Sequence, residues 1–142
     1  MGLNVFISPT RGVKEYGVDI AAVGQINGEV EKVYLFSVKS GNLTRETWNG
    51  HTAQALKPSL DEILYAFIPS RIPPQHRDKN IVICLCFGGD VTSGIRQDVC
   101  GYEQWNTRGN ISFEEWNGDK LSELIQCYLL RDALLPSSNQ SL

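Results

Sequence analysis

The stretch GVDIAAVGQINGEVEKVYLFSVKSG, residues 17–41, contains two apolar runs on either side of the dipeptide Asn27-Gly28. Residues 18–26 and 32–39 have the composition of β-strands, and Asn-Gly is typical of the turn between two paired strands. Residues 29–31 are also polar, so the loop is longer than a two-residue turn and the register is less certain than the pairing. This stretch therefore predicts an antiparallel hairpin.

A strand is predicted before this hairpin and a helix after it. Residues 3–7 are a short apolar strand candidate. From residue 56 to residue 67 apolar side chains recur at helical spacing, with Pro58 either in the first turn of the helix or at a kink. Residues 68–80 contain three prolines and predict a loop without regular structure.

The second half of the chain continues the alternation of strands and helices. Residues 81–87, IVICLCF, are apolar on both faces of the pleat, which is typical of a central strand covered by helices on both sides. Gly88-Gly89-Asp90 matches no phosphate-loop or dinucleotide-binding motif and predicts a strand-to-helix turn. Residues 92–107 predict a weaker helix and 111–116 a strand. A final helix is expected from Asn117 or Gly118, with Leu121, Leu124, Ile125, Tyr128 and Leu129 on its apolar face.

Together these elements predict an α/β fold in which a mixed central β-sheet is flanked by helices, an α/β/α sandwich. One domain is expected over residues 1–135, followed by a polar tail or the start of a linker at residues 136–142, PSSNQSL. Four cysteines include no CxxC pair, so a zinc site is not expected, and Cys84 and Cys86 are interpreted as small core residues.

The composition is that of an ordinary globular protein, with 142 residues, 42% hydrophobic, 20% charged and a net charge of −3. These values exclude an intrinsically disordered, collagen-like or coiled-coil chain. The apolar stretch at residues 81–87 is far shorter than the ~20 residues of a membrane helix, and the N-terminus lacks the order of a signal peptide. We therefore expect a cytoplasmic protein with no membrane partner, and a nucleic-acid role would depend on a local site.

Two charged residues are out of place in the predicted hairpin. Asp19 lies on an otherwise apolar strand, and Lys39 ends the partner strand. Alternation along that strand puts Ser37 and Lys39 on one face, so two polar side chains project side by side from an apolar ribbon. The two charges indicate a site. The alternative is that both residues lie at strand ends, where Asp19 would cap a turn and Lys39 would be solvated at the edge of the sheet.

Gly17-Val18-Asp19-Ile20, followed by the hairpin and by Phe36-Ser37-Val38-Lys39-Ser40-Gly41, resembles the PD-(D/E)XK nuclease superfamily, in particular its Mrr-like branch. The resemblance covers about residues 5–41, and beyond them the order of elements and the segment 116–121. It implies a restriction-endonuclease-like core, in which the hairpin is followed by a helix, a buried strand and a second helix.

The resemblance also implies a site for Mg²⁺ or Mn²⁺. Asp19 matches the metal-binding aspartate of the family and Lys39 its catalytic lysine, while the carbonyl of Val38 would be a further metal ligand. Ser37 stands where the family has Glu, Asp or Gln. A neutral hydroxyl is expected to weaken metal affinity, so the resemblance leaves activity open.

Residues before and after the hairpin bear on the same site. Members of this branch carry a helix with a glutamate before the first strand, whereas the residues before Asp19 predict a strand and a turn. Either the chain is a fragment lacking that helix, or Glu15 is the auxiliary acid. Lys14, Ser40 and Arg45 are candidate contacts to nucleic acid, with scattered surface charge as the alternative.

The expected function is that of a metal-dependent DNA endonuclease domain. It would be the effector module of a larger prokaryotic antiviral defence or restriction protein, fused to further domains. A homodimer would suit this function, since cutting both strands of a duplex is simplest with two sites. The alternative is a catalytically lapsed nuclease-fold module that binds nucleic acid or a partner protein. Trp48, Trp105 and Trp116 are interpreted as core or interface aromatics and not as base-stacking platforms, because none lies in a basic aromatic cluster.

Overall fold

A five-stranded mixed sheet forms the centre of the protein in a computed structural model that describes residues 2–7, 16–26, 28–51 and 55–124. Strands that follow one another in the chain are also neighbours in the sheet, in the order β1-β2-β3-β4-β5. The first three pair antiparallel, whereas β3, β4 and β5 run parallel. The strands are β1 (Gly2–Ile7), β2 (Ile20–Gln25), β3 (Lys32–Lys39), β4 (Ile81–Phe87) and β5 (Ile111–Trp116).

Helices fill the two connections between the parallel strands and follow the last strand. Among the described helices, the longest is α4, between β4 and β5, and a π-helical segment lies between α2 and α3. The helical segments are α1 (Arg45–Asn49), α2 (Leu56–Glu62), the π-helix (Ile63–Phe67), α3 (Ile68–Arg71), a 3-10 turn (Pro74–His76), α4 (Ser93–Asn106) and α5 (Gly118–Leu124).

Apolar side chains are buried on both faces of the sheet. The connections β3–β4 and β4–β5 cross the sheet in the same direction, and connections of one hand then place their helices on the same face. Leu35 and Ile83 of the sheet accordingly pack with Leu60 of α2 and Ile95 of α4. On the opposite face, α5 contacts β4 and β5, and the Lys120 ammonium lies 4.3 Å from the centre of the Trp116 ring. The predicted α/β sandwich with a mixed sheet is confirmed.

The hairpin and the central strand are also confirmed. In the β2–β3 pair, Ile20 lies opposite Phe36 and Val23 opposite Val33, so Gly28 lies in the connecting loop. All residues of β4 are buried because it is paired on both edges and covered on both faces. A continuous apolar run is therefore the expected composition for this strand.

The helix from residue 56 holds Pro58 in its first turn, where a missing N–H costs no hydrogen bond, so the alternative of a kink at Pro58 is wrong. The prediction that residues 68–80 lack regular structure is wrong in part, since α3 and the 3-10 turn lie there. Pro69 is the second residue after the π-helix, and the widened turn lets the Ile68 N–H bond to the Ile63 carbonyl. A π-turn thus carries the helix past a proline that cannot make an ordinary helical bond.

Helix α1 was not predicted from the sequence. Its five residues are mostly polar, and only Trp48 is buried. The helix begins with a capping box in which the side chains of Thr44 and Thr47 each accept a hydrogen bond from the other's backbone N–H. Short helices of this kind depend on tertiary packing, because nucleation is costly and few bonds repay it.

The loops that follow β3 and β4 are hydrogen-bonded to each other. The Leu43 N–H donates to the Asp90 carbonyl at 2.9 Å, and the Thr92 N–H donates to the Leu43 carbonyl at 3.0 Å. The side chain of Asn42 accepts the Asp90 N–H at 3.0 Å. Gly88-Gly89-Asp90 is therefore a strand-to-helix turn, as predicted, and it fixes the chain that leaves Lys39.

Some predictions concern parts of the chain outside the described residues. The approach to Asp19 with Lys14 and Glu15 is one, and the final helix beyond Leu124 with the tail at 136–142 is another. The helix is confirmed from Gly118 to Leu124, where the Asn117 side chain accepts the Lys120 N–H at 3.0 Å. None of the helices in the described ranges has both the length and the apolar character needed to cross a bilayer.

Gly17 fixes the chain where it enters β2. Its backbone has φ +85°, and a Cβ at this position would overlap the backbone carbonyl of Ser59 in α2. Only glycine allows both this conformation and this close approach. Asp19 lies two residues after Gly17. The close packing of the Gly17 backbone on α2 therefore helps to fix the position of the Asp19 carboxylate.

We expect Gly17→Ala to lower the free energy of unfolding by about 2–4 kcal/mol, because it adds both a strained φ and a backbone clash. Gly28→Ala is the matched control, since Gly28 has φ +77° but no atom within 4 Å of the added Cβ. The control should cost only about 1 kcal/mol, from the strained conformation alone. Urea unfolding measures both, and equal losses in the two variants would contradict the close approach of Gly17 to α2.

Candidate active site

Ser37 and Lys39 lie near the carboxyl end of β3, on the face of the sheet that packs against α2 and α4. They follow Val33 and Leu35 on that face, and they lie beside Leu85 and Phe87 of β4. Ser37 is fully buried and Lys39 is only 8% exposed. Burying an ammonium group is costly unless polar or charged groups surround it, so a lysine in this place indicates a functional site more than a solvated edge.

Asp19 meets β3 at the same point. Its backbone N–H donates to the Phe36 carbonyl at 2.8 Å, and its Oδ2 accepts the Val38 N–H at 2.8 Å. The carboxylate therefore lies at the level of Val38, between Ser37 and Lys39 along the strand. The structure brings these four predicted site residues together.

The direction of the Val38 carbonyl follows from the strand geometry. The N–H and the C=O of one strand residue point toward the same neighbouring strand. Because the Val38 N–H bonds to Asp19, the Val38 carbonyl is also directed to the β2 side of β3. A carboxylate and a backbone carbonyl thus face the same side at the end of the hairpin.

The donor set here consists of hard oxygen atoms. Mg²⁺ and Mn²⁺ prefer such ligands, and Mg²⁺ is often held by one or two carboxylates while it keeps several waters. Asp19, Val38 and Ser37 offer a carboxylate, a carbonyl and a hydroxyl. In the described ranges, no three His, Cys, Asp or Glu side chains come together as a metal-binding group. The donors present fit a weakly held hard cation.

The predicted nucleic-acid contacts lie in different surroundings. Ser40 is exposed directly after Lys39, at the edge of the site. Arg45, at the start of α1, instead contacts α4, with its guanidinium 3.3 Å from the Gly94 carbonyl and 3.9 Å from the Asp98 carboxylate. Lys14 and the auxiliary acid Glu15 lie outside the described residues. Of the three candidate contacts, Ser40 is the one that the described structure puts beside Lys39.

A second cluster of charged residues joins α4 to β5. The Arg96 guanidinium bonds to the Glu115 carboxylate at 2.6 Å. Burial raises the pKa of Glu103 to about 8, assisted by a hydrogen bond to Glu115 and by the negative charge of Glu115, while Arg96 acts in the opposite sense. With a pKa of about 8, Glu103 is mostly protonated at neutral pH.

This cluster makes stability depend on pH. Between the ordinary glutamate pKa of 4.5 and about 8, folded Glu103 holds a proton that the unfolded chain has lost. Its contribution to stability is thus complete below pH 4.5 and is lost as the pH rises toward about 8. We expect the Tm difference between Glu103→Gln and wild type to grow in favour of the variant from about pH 5 to about pH 9.

Differential scanning calorimetry across this pH range provides the measurement. Glu62→Gln, at an exposed position of α2, is the control and should follow the wild-type profile. Parallel wild-type and Glu103→Gln profiles would show that Glu103 has an ordinary pKa in the folded chain.

The cysteines of β4 fit their interpretation as core residues. Cys84 and Cys86 are fully buried against Phe36 and Trp116. Burial is the main cause that raises the pKa of the Cys84 thiol well above its ordinary value. A protonated, inaccessible thiol is a poor nucleophile and a poor metal ligand.

The tryptophans divide into two groups. Trp48 and Trp116 are buried in the core, whereas Trp105 is 81% exposed, so for Trp105 the core alternative of the predicted core or interface position is wrong. Tyr65 of the π-helix is 75% exposed as well. The buried side of α4 is formed by Ile95, Val99 and Asn106, and Trp105 falls off this stripe, so its helical position was a usable signal.

Comparison of the chain with protein-family models, with curated proteins and with solved structures gives no match. The interpretation of the site therefore depends on the geometry at the end of the hairpin and on the sequence motif that it contains.

Proposed function

We propose that the chain is a metal-dependent endonuclease domain that hydrolyses phosphodiester bonds of DNA and has a restriction-endonuclease-like core. One observation carries the proposal. The Asp19 carboxylate is bonded to the Val38 N–H at 2.8 Å, between Ser37 and the buried Lys39, where β2 and β3 separate. Packing alone does not account for an acidic and a basic side chain at the end of an otherwise apolar hairpin, so we infer that they have a chemical role.

The order of elements supports the proposed fold. The hairpin β2–β3 is followed by helices, the buried strand β4 and helix α4, the order that the PD-(D/E)XK resemblance implies. In the parallel β3–β4 pair, Lys39 lies beside Phe87, the last residue of β4. The lysine therefore lies at the carboxyl ends of the parallel strands, where ligands of α/β proteins commonly bind.

The residues of the site have distinct roles in this proposal. Asp19 and the Val38 carbonyl hold Mg²⁺ or Mn²⁺, which when bound offsets negative charge on the phosphate and acidifies a water. Lys39 orients the attacking water or stabilises the charge that develops on the phosphorane. Its burial strengthens this electrostatic effect, because the surrounding medium screens it less than water does.

The wider setting is part of the same proposal. The domain would act on DNA in the cytoplasm as the effector of a larger prokaryotic antiviral defence or restriction protein. Fusion to further domains and pairing of two copies would let one assembly cut both strands. The support for this setting is the resemblance of residues 17–41 to the Mrr-like branch.

A second candidate function is a catalytically lapsed module that binds nucleic acid or a partner protein. Ser37 favours it, because this fully buried position carries a hydroxyl where a second acidic or amide ligand would strengthen the site. A site with a single described carboxylate binds a divalent cation weakly, and weak binding would leave the fold without its chemistry.

Plasmid nicking in the presence of Mn²⁺ or Mg²⁺ tests the nuclease proposal. Asp19→Asn and Lys39→Met should each reduce the rate at least about 100-fold, since each removes a charge that stabilises the transition state. Asp78→Asn and Lys32→Met are the controls, because Asp78 is an exposed residue outside the site and Lys32 lies at the opposite end of β3. Circular dichroism establishes that each variant is folded.

Nicking that survives in folded Asp19→Asn and Lys39→Met would overturn the proposal. If wild type is inactive, Ser37→Asp and Ser37→Glu distinguish the two candidates. Activity gained in either folded variant supports a nuclease site weakened at one position. Variants that remain silent and yet bind Mn²⁺ support the lapsed module.

A further inference from the structure

A wide groove runs between the helices that cover the sheet. Its volume is about 980 Å³, at the upper end of the range of about 300–1,000 Å³ that is usual for ligand sites. One wall is formed by α2 and the π-helix, the other by α4, and α1 closes one end. Between the walls, the Tyr102 hydroxyl donates to the Asp61 carboxylate at 2.7 Å, which ties α4 to α2.

Aromatic rings line this groove from floor to rim. Trp48 packs edge to face on Tyr102 with ring centres 5.5 Å apart, so the floor is rigid. On the rim, Tyr65 of the π-helix and Trp105 of α4 stand on opposite walls and are both largely exposed. Large exposed aromatic side chains on both walls of one groove are costly in water, and they indicate a ligand with flat apolar faces.

The charged residues of the groove are already paired with one another. The Lys57 ammonium lies 3.7 Å from the Asp61 carboxylate, and the Arg45 guanidinium lies 3.9 Å from the Asp98 carboxylate. Two positive and two negative groups cancel, so the lining gives little attraction for a phosphate. Exposed amides of Asn49 and Gln97 add donors and acceptors of the kind that read the edges of nucleobases.

The groove begins close to the candidate active site. Arg45 follows Lys39 by a short loop and contacts the Gly94 carbonyl near the start of α4. That loop is hydrogen-bonded to the turn after β4, so the site and this end of the groove share one rigid edge of the sheet. A helical rise of about 1.5 Å per residue then puts Trp105 about 16 Å further along α4.

We propose that this groove binds unpaired bases of a single-stranded nucleic acid, stacked on Trp105 and Tyr65. The inference rests on the proposed function in one respect, since it takes nucleic acid as the ligand. Stacking tolerates any base, because every base has a π-face. A neutral groove beside a charged site would let the phosphate of one nucleotide lie at the site edge while bases further along the same strand occupy the aromatic walls.

Tryptophan fluorescence provides the test, because Trp105 is the exposed residue among the three tryptophans of the chain. Oligodeoxyadenylate is titrated in EDTA, so that no cleavage occurs, and an abasic oligomer of equal length is the probe for the backbone alone. Oligodeoxyadenylate should quench the emission saturably and the abasic oligomer should not. The affinity should fall only weakly as salt is raised, since few phosphates are neutralised in the groove.

Two variants localise the binding. Tyr65→Ala should weaken the affinity about tenfold by fluorescence, and Trp105→Ala should do so in the anisotropy of a labelled oligonucleotide. Both side chains are largely exposed, so neither change should unfold the chain. Val30→Ala, which changes an exposed apolar residue in the hairpin loop, should bind as wild type.

The inference is overturned if the abasic oligomer quenches equally, if Tyr65→Ala binds unchanged, or if a neutral oligosaccharide quenches in place of the oligonucleotide. Its failure is distinguishable from failure of the nuclease proposal. Cleavage without base-dependent quenching would refute the inference about the groove and leave the nuclease proposal standing. Base-dependent quenching by a chain that never cleaves DNA would refute the nuclease proposal and leave the inference about the groove standing.

Discussion

The hydrogen bond from the Val38 N–H to Asp19 Oδ2, 2.8 Å long, is the interaction on which the candidate site depends. It places a side-chain carboxylate against the backbone of β3 just before the first paired residue of β2, Ile20. Gly17 allows this entry because its backbone packs on α2 where no Cβ would fit. The carboxylate is thereby fixed between two residues of β3 that share a face, one of them a buried lysine.

The same sheet edge organises the rest of the molecule. The loops after β3 and β4 bond to each other, so Lys39, α1 and the start of α4 are held as one unit. The helices that cover this face therefore stand in a fixed relation to the hairpin. The polar site at the strand ends and the aromatic groove between the helices are consequences of one arrangement, in which both parallel connections carry their helices to the same face.

Most of the fold could be predicted from local sequence signals, because apolar runs and alternation report strands directly. The hairpin, β4 and the shared face of Ser37 and Lys39 follow from such patterns, whereas the assignment of Asp19 to the same site came from the resemblance. Features that depend on distant contacts could not be predicted. Helix α1 is stabilised by burial of Trp48, and the π-helix lies where the chain approaches Pro69. The bond of Asp19 to Val38 depends on strand pairing, which composition does not report. Trp105 was expected in the core or at an interface, and its exposure excludes the core alternative.

Calorimetric titration of Mn²⁺ into the wild-type chain and into Asp19→Asn tests most directly whether the end of the hairpin is a metal-dependent site. The asparagine keeps an oxygen that can accept the Val38 N–H, so the fold is preserved while the charge that attracts the cation is removed. We expect weak, saturable binding to wild type that is lost in the variant. Equal binding to both chains, or no binding to either, would contradict this expectation.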